Sequence, residues 1–274
     1  MRFLFLGDIV GKPGIRIVQR SLAGLRVRES LDLVIANAEN AADGSGLTAK
    51  NYQSLKAAGV DCITLGDHIY RRNEIIPILD KEVDIVRPAN YPSDAPGREW
   101  AVVKAANGVD VAVVSLLGRV FMRPVDCPWK AVDRVLAEIP AHVRVRFVDF
   151  HAEATSDKQI MGRYLDGRVT AVLGTHTHVP TADGRILPGG TAFQCDVGMT
   201  GPYDSILGRK VDRVTETTLT FRPTQFQVAT GDPRMCGAIV ETDESTGEAT
   251  SITRLEIRED EVEALEGQAS QSNA

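Results

Sequence analysis

Five short apolar runs stop at residues that bind metals, and this pattern limits the possible folds more than any other feature of the chain. Arg2-Phe-Leu-Phe-Leu-Gly7 precedes Asp8, Leu31-Asp-Leu-Val-Ile-Ala36 precedes Glu39 and Asn40, and Asp61-Cys-Ile-Thr-Leu65 precedes Asp67 and His68. Arg144-Val-Arg-Phe-Val-Asp-Phe150 delivers His151, and Val169-Thr-Ala-Val-Leu-Gly174 delivers His176 and His178. Runs such as the first, apolar on both faces, suit strands in the middle of a covered sheet. Helical spacing follows in Ile15, Val18, Leu22 and Leu25, and again from Thr48, a suitable N-cap, to Ala58 with Gly59 behind it. Strands and helices in alternation predict an α/β fold with a mostly parallel sheet. Ligands of such sheets sit beyond the carboxyl ends of the strands, so the five polar ends are expected to converge.

The remaining signals fill in the chain. Gly11-Lys-Pro-Gly14 reads as a turn, and a helix is expected from Asn73 to Leu79 with Pro77 in its N-terminal turn. Trp100–Ala106 and Val109–Leu116 predict a hairpin across Asn107-Gly108 in a type I′ turn, an antiparallel addition to the sheet. A helix is predicted from Thr155 or Ser156, either one a cap, to about Leu165. A second hairpin is predicted across Pro188-Gly189-Gly190, and two strands between Arg234 and Arg258 about a turn at 243–247. Residues 1–258 are read as one domain. Residues 259–274, acidic and then Ser/Gln/Ala-rich, are read as a flexible tail.

Composition removes several function classes. A net charge of −6 argues against a surface that coats nucleic-acid polymer, while leaving room for a small nucleotide in a locally positive cleft. Cys62, Cys127, Cys195 and Cys236 are scattered, with no C-x-x-C pair, as in reduced cytosolic thiols. The apolar stretch at the amino terminus is too short for a signal-peptide core, and no run approaches the ~20 residues that span a bilayer. The expectation is a cytoplasmic protein without membrane contact, with a homo-oligomer open on base rates alone.

Imidazole is the commonest side-chain ligand for transition metals, and the glycine before His176 lets backbone and metal approach closely. Singly, each residue has an ordinary structural role: Asp8 could cap a helix, Asn40 form a turn, His68 close a helix end. Their convergence is harder to explain that way. Carboxylate, amide-oxygen and imidazole ligands together suit Mn²⁺, Fe²⁺/Fe³⁺ or Zn²⁺, and there are more of them than one ion uses. Two ions per chain are expected, Fe or Mn before Zn, with Glu39 placed to bridge them. Such a pair, about 3.5–4 Å apart, clamps a phosphate and lowers the pKa of a water between them.

Arranged in this order, the residues resemble the calcineurin-like metallophosphoesterases, and more closely their YmdB subfamily. The motifs are Gly7-Asp8-Ile-Val-Gly11-Lys-Pro-Gly14, Asn37-Ala-Glu39-Asn40-Ala-Ala-Asp-Gly44 and Leu117-Gly-Arg-Val-Phe-Met122, then Asp149-Phe-His151-Ala-Glu-Ala-Thr, Gly174-Thr-His176-Thr-His178 and Gly198-Met-Thr-Gly-Pro-Tyr-Asp-Ser205. A general member of the superfamily would show Asp-x-His at the first motif, where this chain has Val10. The resemblance implies a four-layer α/β/β/α sandwich and a phosphodiesterase acting on 2′,3′- and 3′,5′-cyclic nucleotides. It further implies that Asp8, Asn40 and His178 hold one ion, Asp67, His151 and His176 the other, with Glu39 between them. His68 would be the proton donor to the leaving oxygen, a role suited to a group that titrates near neutrality. One departure stands out: the subfamily has Asn where this chain has Asp67, which adds a negative charge to the site. Lys12, Arg119 and Lys158 are candidate contacts for a substrate anion. A phosphomonoesterase or nucleotidase on the same metals, and a metal-holding regulatory or scaffold protein with little turnover, are the alternatives.

Overall fold

A computed structural model describes the protein over residues 1–272. The first half contains β1 (Arg2–Leu6), α1 (Gly11–Arg28), β2 (Leu33–Asn37), α2 (Ala49–Ala57), β3 (Cys62–Thr64), α3 (Ile76–Lys81), β4 (Ile85–Val86), β5 (Trp100–Lys104) and β6 (Asp110–Leu117). Then come α4 (Pro128–Glu138), β7 (Val145–His151), α5 (Thr155–Leu165), β8 (Ala171–Thr175), β9 (Arg185–Ile186) and β10 (Ala192–Gln194). The chain closes with β11 (Gly201–Asp204), α6 (Val211–Thr220), β12 (Gly231–Thr242), β13 (Ala249–Arg258) and α7 (Val262–Ser272).

Two sheets form. In the first, β1 to β4 run parallel, and β12 pairs antiparallel with β1, β11 and β13. In the second, β6, β7, β8 and β10 run parallel, with β5 and β9 antiparallel at the edges. Strand alternation decides which residues go where. Phe3 and Phe5 of β1 point between the sheets and meet Phe147 of β7, with ring centroids 5.9 and 4.7 Å away. Leu4 and Leu6 point outward, into a layer shared with Val18, Leu22, Leu55, Val262 and Leu265 of the helices. On the far side, Val148 and Phe150 pack with Val132, Val135 and Met161 of α4 and α5. The result is the expected four-layer α/β/β/α sandwich. No helix among the described residues is long and apolar enough to cross a membrane.

Several expectations are corrected. Gly11-Lys-Pro-Gly14 opens α1 instead of forming a turn, because a proline in the first helical turn removes only an amide that has no partner there. The Asn107-Gly108 hairpin exists, but only Gly108 has positive φ (89°), with Gly108 N–H donating to Ala105 O. That is a type I turn closed by a glycine, not a type I′ turn. α5 starts after Ala154 with no side-chain cap, and α4 and α6 were not foreseen. The largest correction concerns the supposed tail. Val262 and Leu265 are each 1% exposed, and Arg20 donates to both Glu266 carboxylate oxygens at 2.8 and 3.0 Å. Because Gly24 has no Cβ, Leu265 O can occupy the space that carbon would fill, so α7 lies directly on α1. Residues 273 and 274 of that stretch lie outside the described residues.

Candidate metal centre

The carboxyl ends of β1, β2 and β3 meet those of β7 and β8 at one edge of the sandwich. Glycine makes the approach possible: a Cβ on Gly66 would overlap the His151 ring and lie 2.5 Å from Glu39 Oε2. His176 and His178 both have left-handed backbones, φ 101° and 64°, which is unfavourable for such residues and needs support. Asp8 Oδ2 accepts from His176 N at 2.9 Å, and Asp196 Oδ2 accepts from Thr177 N and Oγ1 at 3.0 and 2.8 Å.

Glu39, Asp67, His151 and His176 each bring one ligand atom into a group whose members all lie within 4.8 Å of one another. His151 Nε2 stands 3.1 Å from Glu39 Oε1, 3.2 Å from Asp67 Oδ1 and 3.0 Å from His176 Nδ1. The proton positions follow from a buried network behind it. Thr175 Oγ1 donates to Asp149 Oδ1 (2.7 Å) and therefore accepts from His151 Nδ1–H (2.8 Å), which leaves Nε2 facing the group. Asp149 Oδ2 also accepts from Asn37 Nδ2 and Thr64 Oγ1, so this carboxylate ties β2 and β3 to β7 and β8 beneath the site. Behind His176, Glu153 Oε2 lies 3.2 Å from Nε2, while Nδ1 faces the group, 3.0 Å from His151 Nε2.

Beside this group lie Asp8, Asn40 and His178. His178 Nδ1–H donates to Leu207 O at 3.1 Å, so Nε2 faces Asp8 Oδ1, 3.7 Å away. Asn40 Nδ2 is 3.3 Å from Asp8 Oδ1 and from His178 Nε2, and 3.4 Å from Glu39 Oε1. Its Oδ1 is 2.7 Å from His68 Nδ1, and Glu39 Oε2 accepts from the His68 backbone at 2.9 Å. A half-turn of the Asn40 amide would present oxygen to a cation and its N–H to His68 Nδ1. His68 would then carry its proton on Nε2.

Electrostatics favour a cation here. Burial opposes the charge of Asp8, yet His178 and His151 hold its carboxyl well below the usual range. Asp67 is held low against burial in the same way, chiefly by its hydrogen bond from His151. Burial alone would discharge His151, but Glu39, Asp67 and Asp8 raise it well above an ordinary imidazole, and Asp8 raises His178 despite burial. Burial and the neighbouring His151 lower His176. Three carboxylates thus share a buried space that can be neutralised only by protonated imidazoles or by metal. The carboxylate and imidazole set fits Mn, Fe or Zn.

A family model described as YmdB-like protein matches residues 4–255. The chain belongs to that family. A 2′,3′-cyclic-nucleotide 2′-phosphodiesterase of Bacillus subtilis (strain 168) is 46% identical over 260 residues, 95% of this chain and 98% of that protein. The crystal structure of a hypothetical protein from Thermus thermophilus superimposes with a TM-score of 0.88 at 43% identity, over 94% of this chain and 99% of its own. A structure described as a novel phosphatase from Mycoplasma pneumoniae matches with a TM-score of 0.88 at 33% identity, over 94% and 93%. YmdB-like membership and the carboxylate–imidazole group make this chain a metal-dependent phosphoesterase.

In this YmdB-like site, Asp8, Glu39, Asn40, Asp67, His68, His151, His176 and His178 are all brought together. Lys158 is not among them. It is 2% exposed and its Nζ is 2.7 Å from Asp196 Oδ2, so it is closed to substrate and instead steadies the His176–His178 loop through Asp196. Arg119 is exposed, its amide donating to Asp157, and Lys12 lines a groove between α1 and α2. Sequence reasoning missed the parts played by Glu153 and by the Asp149 network. A charged residue in the middle of an apolar strand, as Asp149 is, was the available signal.

Proposed function

We propose that this chain is a dinuclear metallophosphodiesterase that opens 2′,3′-cyclic nucleotides, with 3′,5′-cyclic ones as a second class. The observation that carries the reading is the close group of Glu39, Asp67, His151 and His176 with Asp8, Asn40 and His178 adjoining it. In this reading, Asp67, His151 and His176 would hold one ion and Asp8, Asn40 and His178 the other, with the Glu39 carboxylate available to both. The ions, once bound, supply charge for the phosphoryl oxygens and acidify water. His68 gives its proton to the departing ribose oxygen, and Asn40 fixes which ring nitrogen carries that proton. The relative from B. subtilis, named for 2′,3′-cyclic nucleotides, supports this substrate class. A phosphomonoesterase is the second reading, favoured by the phosphatase description of the M. pneumoniae structure.

Hydrolysis of 2′,3′-cyclic AMP by Mn²⁺- or Fe²⁺-loaded protein tests the proposal, with metal content and a His176→Ala variant measured alongside. About two ions per chain and turnover that disappears in the variant are expected. Full metal occupancy without turnover of any cyclic diester would move the regulatory reading ahead. Faster release of phosphate from 3′-AMP than opening of the ring would favour the monoesterase.

A further inference from the structure

A groove of about 960 Å³ runs between the first two turns of α1 and of α2, roofed by residues 71–74. Five cations line it, Lys12, Arg16, Lys50, Arg71 and Arg72, against two carboxylates, Asp43 and Glu74. Among the described residues only Arg72 has an ion-pair partner, Asp43 at 3.8 Å. The side chains of the other four stand exposed, without a hydrogen bond or ion pair among the described residues, on a chain whose net charge is −6. Like charges gathered without partners repel, and an anion in the groove would relieve that repulsion.

Position connects the groove to the metal centre. Its floor includes Ala41 and Ala42, which directly follow the candidate ligands Glu39 and Asn40. Its roof begins at Arg71, whose amide donates to His68 O at 3.0 Å. His68 marks the side of the site on which the departing oxygen, and hence the ribose that keeps it, must lie. The groove therefore starts where the rest of a nucleotide chain would leave the site. Lys12 to Gln19 extends about 10 Å along α1, room for about two consecutive phosphates of an extended strand. The lining contains no aromatic side chain, so it suits a phosphodiester backbone rather than stacked bases.

We infer that the substrate is an oligoribonucleotide whose 3′ end is a 2′,3′-cyclic phosphate, with its upstream phosphates held in this groove without base preference. The inference rests on the phosphodiesterase reading above. The acidic whole chain argues against a polymer-coating surface, but this positive strip is local.

The test compares tri-adenylate ending in a 2′,3′-cyclic phosphate with 2′,3′-cyclic AMP. At low salt the trinucleotide is expected to have a kcat/KM at least about tenfold higher, an advantage that shrinks as salt rises. Arg16→Glu combined with Arg71→Glu should bring the ratio close to one. Lys130→Glu on α4, with a charge change of the same sign, should leave the ratio as it is. A wild-type ratio near one, or an equal fall in the Lys130 variant, overturns the inference. Binding of 5′-labelled tri-adenylate 3′-phosphate, read by fluorescence anisotropy, tests the groove apart from turnover. The double variant should bind it at least about tenfold more weakly. Unchanged binding, or equal competition by inorganic polyphosphate, overturns the groove's role; failure to turn over either cyclic substrate, with groove-dependent binding intact, counts against the phosphodiesterase reading alone.

Discussion

Asp67 is the residue at which this chain departs from the pattern that the resemblance implies, and its surroundings say what an aspartate does there. Its Oδ1 lies 3.2 Å from His151 Nε2 and its Oδ2 3.7 Å from His68 Nε2. Held ionised against burial, it adds a full charge beside Glu39 and Asp8. More negative charge holds a cation harder and leaves that cation a weaker Lewis acid. Asp67→Asn is therefore expected to lose metal at least about tenfold more readily on dialysis, the size of effect that removing one nearby charge produces. Turnover per bound ion should rise. Metal content after dialysis and rate per ion check both halves, and a variant identical to wild type in both would refute the argument. Lys158 teaches the complementary lesson at this scale: a lone basic residue in a sequence gives no sign of whether it meets substrate or an internal carboxylate.

Among the elements, α7 depends most on tertiary context. Its sequence is acidic and then small and polar, with only Val262 and Leu265 as apolar anchors, and nothing in that composition separates it from a frayed end. What stabilises it is the face of α1, opened by Gly24. Removing residues 262–272 should cost about 3–6 kcal/mol in urea unfolding, since each anchor contributes about 1.5–3 kcal/mol. Gly24→Val, which forces a side chain into Leu265 O, should cost about 1–3 kcal/mol. No change in either variant would mean that α7 does not dock. α6 shows the opposite case: none of its residues is buried, so it has no inward-facing apolar stripe for sequence periodicity to detect.

Across the whole molecule, Asp149 joins the two sheets under the site. It is fully buried, and burial pushes its pKa up to about 6 even though His151, Thr64, Thr175 and Asn37 pull it down. Asp149→Ala would leave Asn37, Thr64 and Thr175 as buried donors without an acceptor, at about 1–3 kcal/mol each. A loss of several kcal/mol in urea unfolding is expected, together with weaker metal retention, because His151 would lose the support of its Nδ1 proton. Stability within about 0.5 kcal/mol of wild type would show that the network is not what holds the sheets in register.

Local chemistry was enough to predict most of the strands, the helices α1, α2, α3 and α5, and the residues that gather at the strand ends, but it missed β11 and α4, although Ala131, Val132 and Val135 of α4 face the core. Buried strands need continuous apolar runs, and metal ligands must be carboxylates, amides or imidazoles, so composition and order carry that information directly. The proton arrangement that aims His151, the burial of Lys158 against Asp196, the docking of α7 and the positive groove between α1 and α2 were decided only by the tertiary structure. Each depends on residues far apart in the chain being brought within a few ångströms, and neither spacing nor composition encodes that distance.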